Sequence, residues 1–115
     1  MMPAAIAEHL AAAAAAAARA VAPLVGSGDA MRIDAVAVEA LREHLRAAPC
    51  TLRVVSCEGL KDRAPMLAIG EVLGSGSGPV LELAADPIDG TRAAAAGRDG
   101  AIVALAAVPA GRLRV

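Results

Sequence analysis

Apolar positions in the first half of the chain recur at helical spacing, whereas in the second half they run in short blocks punctuated by glycine and proline. Pro3 to about Leu24 is alanine broken by Ile6, Leu10, Val21 and Leu24, with proline near the start and Gly26 just past the end. That asymmetry predicts a first helix, smooth enough to pack closely on a neighbour, since alanine is the best helix former. Gly26 to Ile33 reads as a loop. Asp34 then precedes a second, amphipathic helix, in which Val38, Leu41 and Leu45 share one face and Glu39, Arg42, Glu43 and Arg46 the other. Ala47-Ala48-Pro49 ends it.

Thr51 to Cys57 is a β-branched run that reads as the first strand, and Met66 to Leu73 reads as the second. Gly74 to Pro79 is expected as a hairpin linker to a third strand, Val80 to Ala85; it lacks the Gly-Lys-Ser/Thr ending of a phosphate-cradling loop. Ala93 to Arg98 adds a turn of helix. Ala101 to Val108, apolar on both faces, is expected as a buried fourth strand, and Arg112 to Val115 begins a fifth. Helices first and strands after predict an α+β domain, two N-terminal helices packed on a mixed sheet of about four to five strands, with residues 1–115 in one unit.

Composition changes this picture in one respect. The 115 residues are 57% hydrophobic yet include no Phe, Tyr or Trp. Aromatic rings normally dominate core burial, so an aliphatic core of this kind implies thin layers or an apolar surface that needs a partner, either another copy or a complementing chain. The net charge of −1 says little about nucleic acid, but the basic residues are scattered and no ring can stack on a base, so no nucleic-acid partner is expected. Cys50 and Cys57 have neither zinc-site nor disulfide-framework spacing, which fits a cytoplasmic protein. The uncharged run Leu10 to Ala18 stops at Arg19, short of a bilayer span, and Glu8-His9 rather than a basic region lead into it, so no membrane partner and no signal peptide are expected. His9 and His44 lie among polar residues and read as solvated.

The chemistry is concentrated in Asp86-Pro87-Ile88-Asp89-Gly90-Thr91. Two carboxylates three residues apart at a strand end can point at one hard divalent cation, leaving other positions to water and substrate oxygens. Gly90 and Thr91 offer backbone N–H groups at a turn, where a phosphate can be held. The same residues also suit a tight turn whose aspartates accept backbone hydrogen bonds. Glu58, at the end of the first strand, is a third acidic candidate, because layered α/β folds gather ligands where strands end.

This string resembles the signature of the lithium-sensitive, metal-dependent sugar phosphatases. Cys57-Glu58-Gly59, Asp62, Ala64-Pro65-Met66-Leu67, Ile69-Gly70-Glu71 and Gly74 narrow the likeness to class II fructose-1,6-bisphosphatases. Gly26-Ser27-Gly28-Asp29 followed by Asp34 is similar to that family's early metal loop, and Ala101-Ile102-Val103-Ala104 sits where the family has its next strand. The resemblance implies a layered sugar-phosphatase-like fold, of which this chain would be the N-terminal, metal-binding part. It also implies a phosphomonoesterase that hydrolyses the 1-phosphate of fructose 1,6-bisphosphate to fructose 6-phosphate in gluconeogenesis, with Mg²⁺ or Mn²⁺. The family's metal ligands fall on Asp34, Glu58, Asp86 and Asp89, its catalytic groups on Asp62 and Thr91, and its substrate contacts on Asp89, Gly90 and Thr91. Ala30 and Met31 stand where the family has lysine and asparagine, the loop around Glu58 is less acidic, and family members are much longer. Two classes of function follow: an enzyme that works once assembled, or a non-catalytic remnant that binds metal or phosphate or serves as an interaction module.

Overall fold

A computed structural model describes residues 4–57 and 67–111. Glu58, Asp62, Met66 and the expected fifth strand from Arg112 lie outside the described residues. The first helix, α1 (Ala4–Val21), continues into a short 3-10 turn (Ala22–Leu24), and its inner face carries Ile6, Leu10, Ala13, Ala16, Ala17 and Val21. Four of those six are alanine or valine, which keeps the helix surface smooth where it packs along the second helix, α2 (Ala30–Leu45). By length and mean hydropathy, 1.3, the 21 residues Ala4–Leu24 suffice to cross a membrane, because the helix runs straight through Arg19 instead of stopping there. In this fold its apolar face is packed on α2 and the sheet.

α2 starts four residues before Asp34, inside the segment expected as loop. The reason is Asp29, whose carboxylate accepts a hydrogen bond from the Arg32 N–H at 3.0 Å and so caps the first turn. Asp34 therefore sits in the second turn of a helix, and it is fully buried.

The sheet has the order β2-β1-β3-β4, from β1 (Thr51–Cys57), β2 (Val72–Gly74), β3 (Val80–Asp89) and β4 (Ile102–Pro109). β1 and β3 are parallel neighbours, while β2 and β4 join antiparallel on the outside. Residues 74–79 are thus no hairpin. They pass from one side of β1 to the other, over its start, where Ser75 N–H donates to Ala48 O and Thr51 N–H to Pro79 O. Gly74 makes this passage possible: its φ is +95°, and a Cβ there would lie 2.1 Å from the Cys50 carbonyl oxygen.

β2 is shorter than Met66 to Leu73, since residues 69–70 form a turn whose Gly70 N–H donates to Val54 O. β3 is longer than expected. It runs through buried Pro87 to Asp89, and the register with β4 shifts between Asp86 and Asp89, a bulge that accommodates a residue with no N–H to donate. β4 corrects a further expectation. Val103, Leu105 and Ala107 pack on the core, but Ile102, Ala104 and Ala106 face outward, because the helices cover one side of the sheet only.

The core is aliphatic throughout, with Ile6, Leu41, Leu45, Leu52 and Leu83 fully buried. A second cluster of Val21, Ile33, Ala37, Ile88, Ala94 and Ala95 locks the ends of α1, α2 and β3 to a short third helix, α3 (Thr91–Ala95). α3 starts two residues earlier than the Ala93 expected, directly after Gly90. Both cysteines are free thiols, and burial raises the pKa of Cys50, which disfavours its thiolate.

One ion pair ties the helical layer to the sheet edge. Arg42 of α2 donates through Nε to Glu71 Oε2 at 2.9 Å and through its terminal nitrogen to Oε1 at 3.2 Å. The hydrogen bonds from Arg42 hold the Glu71 carboxyl below its usual value of 4.5. A group whose pKa is depressed by folding stabilises the fold above its unfolded pKa and loses that contribution as pH falls through the folded one. Glu71→Gln is therefore expected to be less stable than the parent at pH 7, by about 1 kcal/mol for a partly exposed pair. In urea titrations the gap should narrow as pH drops below 4.5; a gap independent of pH would show that the charge is not what matters.

Candidate functional site at the end of the third strand

The end of β3 is built by its own sequence. Pro87 and Ile88 are buried and anchor the strand, and the bulge between Asp86 and Asp89 breaks the regular alternation around them. Asp86 is half-buried opposite Ala104, while Asp89 is exposed opposite Ile102. Gly90 then takes a left-handed conformation at φ +87°, where a Cβ would come within 3.3 Å of both the Ala101 Cα and the Gly100 carbonyl oxygen. That conformation turns the chain sharply out of the sheet and into α3. Thr91, the first residue of α3, is buried, and its hydroxyl donates to the Ile88 carbonyl at 3.1 Å. The bond braces the turn and commits the hydroxyl proton, so in this arrangement Thr91 offers a ligand its oxygen and backbone N–H only.

Asp86 lines a cavity of about 250 Å³ with Ser56, Ala84, Ala85, Ala104, Leu105 and Ala106. Small side chains on adjacent strands leave this hollow. Ser56 was not singled out by the sequence; the signal lies in the parallel register that aligns it with Ala84, which only the pairing of β1 with β3 reveals. Asp34 approaches the same end of the domain from α2. Its neighbour Ile33 shares a cluster with Ile88 and Ala94, on either side of the Asp89–Thr91 turn. Glu58 and Asp62 lie outside the described residues, but Cys57, which precedes Glu58, is aligned with Ala85, which precedes Asp86. Among the described residues, no three histidine, cysteine, aspartate or glutamate side chains form a group that could hold a metal ion. Asp34, Asp86 and Asp89 alone are thus not a complete metal site.

The family described as bacterial fructose-1,6-bisphosphatase, glpX-encoded, matches residues 4–114. Among curated relatives, the fructose-1,6-bisphosphatase 2 class 2 of Escherichia coli (strain K12) is 46% identical over 87 residues, which are 76% of this chain and 27% of that protein. The D-fructose 1,6-bisphosphatase class 2/sedoheptulose 1,7-bisphosphatase of Prochlorococcus marinus (strain NATL1A) is 44% identical over 92 residues, 80% of this chain and 28% of that protein. Its namesake in Synechococcus sp. (strain RCC307) shows the same identity and coverage. The chain spans little more than a quarter of the length of the curated relatives it matches.

Proposed function

The chain belongs to the class II fructose-1,6-bisphosphatase family, and from that premise we propose that it is the metal-binding and phosphate-positioning part of a metal-dependent phosphomonoesterase. The observation that carries this reading is the local build of residues 86–91: a strand end, a left-handed glycine and a helix start, with Asp86 at a cavity and Thr91 bracing the turn. The substrate is a sugar bisphosphate, fructose 1,6-bisphosphate first, with sedoheptulose 1,7-bisphosphate, named for the Prochlorococcus and Synechococcus relatives, as a second candidate. Hydrolysis of the 1-phosphate to fructose 6-phosphate would place the chain in cytoplasmic gluconeogenesis.

All the donors are carboxylate oxygens, the set that suits Mg²⁺ or Mn²⁺ rather than zinc or copper. Asp34, Asp86 and Asp89, together with Glu58, are the carboxylates that would hold the ion. When bound, the ion neutralises phosphoryl oxygens and lowers the pKa of a coordinated water. The chain's own residues do the rest. The N–H groups of Gly90 and Thr91, with Asp89 beside them, hold and orient the phosphate, and Asp62 handles the proton at the attacking water. The sugar itself is oriented by polypeptide beyond this chain, either another copy or a complementing chain, so turnover by the isolated chain is low.

Phosphate release from fructose 1,6-bisphosphate, measured with Mg²⁺ or Mn²⁺ and with or without the remaining three-quarters of a related enzyme, tests this reading. Activity is expected to need the cation, to rise with the added polypeptide, to be lost in Asp62→Ala, which removes the group that handles the proton, and to fall in Thr91→Ala, which removes the hydroxyl that braces the turn. A folded, metal-loaded sample that releases no phosphate in either case would favour the second reading, a non-catalytic module that binds metal or phosphate. The short coverage of the relatives is the observation on its side.

A further inference from the structure

A second cavity, about 420 Å³, lies against α3 and is lined by Gly28, Ala30, Arg92, Ala95, Ala96 and Arg98. It shares no lining residue with the Asp86 cavity. Among the described residues, its lining is glycine and alanine apart from the two arginines, which are the polar residues on it. Arg42 and Arg53 elsewhere in the domain are neutralised by Glu71 and Glu82. The side chains of Arg92 and Arg98, by contrast, make no ion pair or hydrogen bond among the described residues.

The backbone explains how two like charges come to share one hollow. Gly26 N–H donates to Ala94 O and Gly28 N–H to Ala95 O, both at 2.8 Å, which pins the glycine loop across the end of α3. Those bonds also occupy carbonyl oxygens that would otherwise repel an anion. Gly97, at φ +75°, then turns the chain so that Arg98 joins Arg92 on the cavity. Asp29, whose carboxylate accepts from the Arg32 N–H, and Asp99 adjoin the lining residues in sequence, but neither lines the cavity itself.

We propose that this cavity binds a phosphate group between Arg92 and Arg98. A dianionic oxyanion has acceptor oxygens that match the donor forks of two guanidiniums, and it relieves their mutual repulsion. The cavity is large enough to take either inorganic phosphate or the phosphate of a small ester. This site involves no carboxylate ligand and no divalent cation, so it stands apart from the metal-dependent chemistry proposed at Asp86.

The test is a calorimetric titration of the metal-free chain with inorganic phosphate and, separately, with fructose 6-phosphate. Saturable binding of one equivalent is expected. The double variant Arg92→Gln/Arg98→Gln should bind at least about tenfold more weakly, having lost two charge-assisted contacts. Arg46→Gln, at the far end of α2, and Asp86→Asn should bind as the parent does. Both arginines are exposed, and a far-UV circular dichroism spectrum verifies that the double variant is folded. Tighter binding of the sugar phosphate identifies an ester as the ligand, and tighter binding of inorganic phosphate identifies the free ion. Absence of saturable binding by either, or equal affinity in the folded double variant, overturns the proposal. Since neither metal nor catalysis enters the titration, its outcome is separate from that of the phosphate-release assay.

Discussion

Exchange of Asp86 for asparagine is expected to weaken Mn²⁺ binding by more than about 100-fold while leaving the fold intact. Residues that only orient metal ligands typically cost 10–100-fold when changed, and removal of a charged ligand itself should exceed that. The fold should survive because Asp86 is only half-buried and asparagine has nearly the same shape. The buried anchors on either side, Ala85 below and Pro87 and Ile88 above, are untouched. Calorimetric titration of parent and variant with Mn²⁺ decides the matter, and circular dichroism verifies that both are folded. An affinity unchanged by the substitution would remove Asp86 from the proposed site and with it the case for a cation at the end of β3. Asp89→Asn should give a loss of the same order, since the proposed site uses both carboxylates.

Leu83→Ala is expected to cost about 2–5 kcal/mol of folding stability, at the upper end of that range. Leu83 lies in the middle of β3, is fully buried, and is paired with Val54 on one side and Ala107 on the other. Its loss leaves a cavity in the main core cluster, between the paired strand residues Val54 and Ala107, whose short side chains do not reach in to fill it. A domain of this size holds about 5–15 kcal/mol in all, so the variant should unfold at a markedly lower urea concentration. With no Trp or Tyr to report, unfolding is followed by far-UV circular dichroism. Ala104→Ser on the exposed face of β4 is the control and should shift the midpoint little. Equal midpoints for the parent and Leu83→Ala would mean that β3 is not the centre of the core.

The helices were legible in sequence because periodicity is local. Val38, Leu41 and Leu45 mark the inner face of α2 without reference to the rest of the chain, and all three are buried. Its start was misplaced because Asp29 serves at once as the end of a glycine motif and as a helix cap, and only the hydrogen bond to Arg32 shows the second role. Strand pairing was less legible. Nothing in residues 74–79 announces that the chain crosses β1, since the deciding contact is between Gly74 and the Cys50 carbonyl, 24 residues away in sequence. The faces of β4 were ambiguous because alanine suits either environment. At the site, the Asp86 to Thr91 string declared its turn and its glycine. The placement of Asp34 depends on how α2 docks on β3 and α3, and the pairing of Arg92 with Arg98 depends on the glycine loop folding over α3. Neither could be read from spacing.

The parallel pairing of β1 with β3 has a consequence for the order in which the molecule can assemble. Thr51 aligns with Val80, so the centre of the sheet closes only after the chain has run out to the β2 edge and returned. Such non-local closure is slow compared with helix formation. During synthesis the N-terminal segment emerges first, and α1 and α2, which pack along each other, can form before any strand has a partner. β1 then docks on their apolar face with the edge that β3 will occupy still open. Until residue 89 has left the ribosome, that edge is free to capture a strand from a neighbouring nascent chain. Closure of β3 against β1 is therefore the step that removes this open edge from the folding chain.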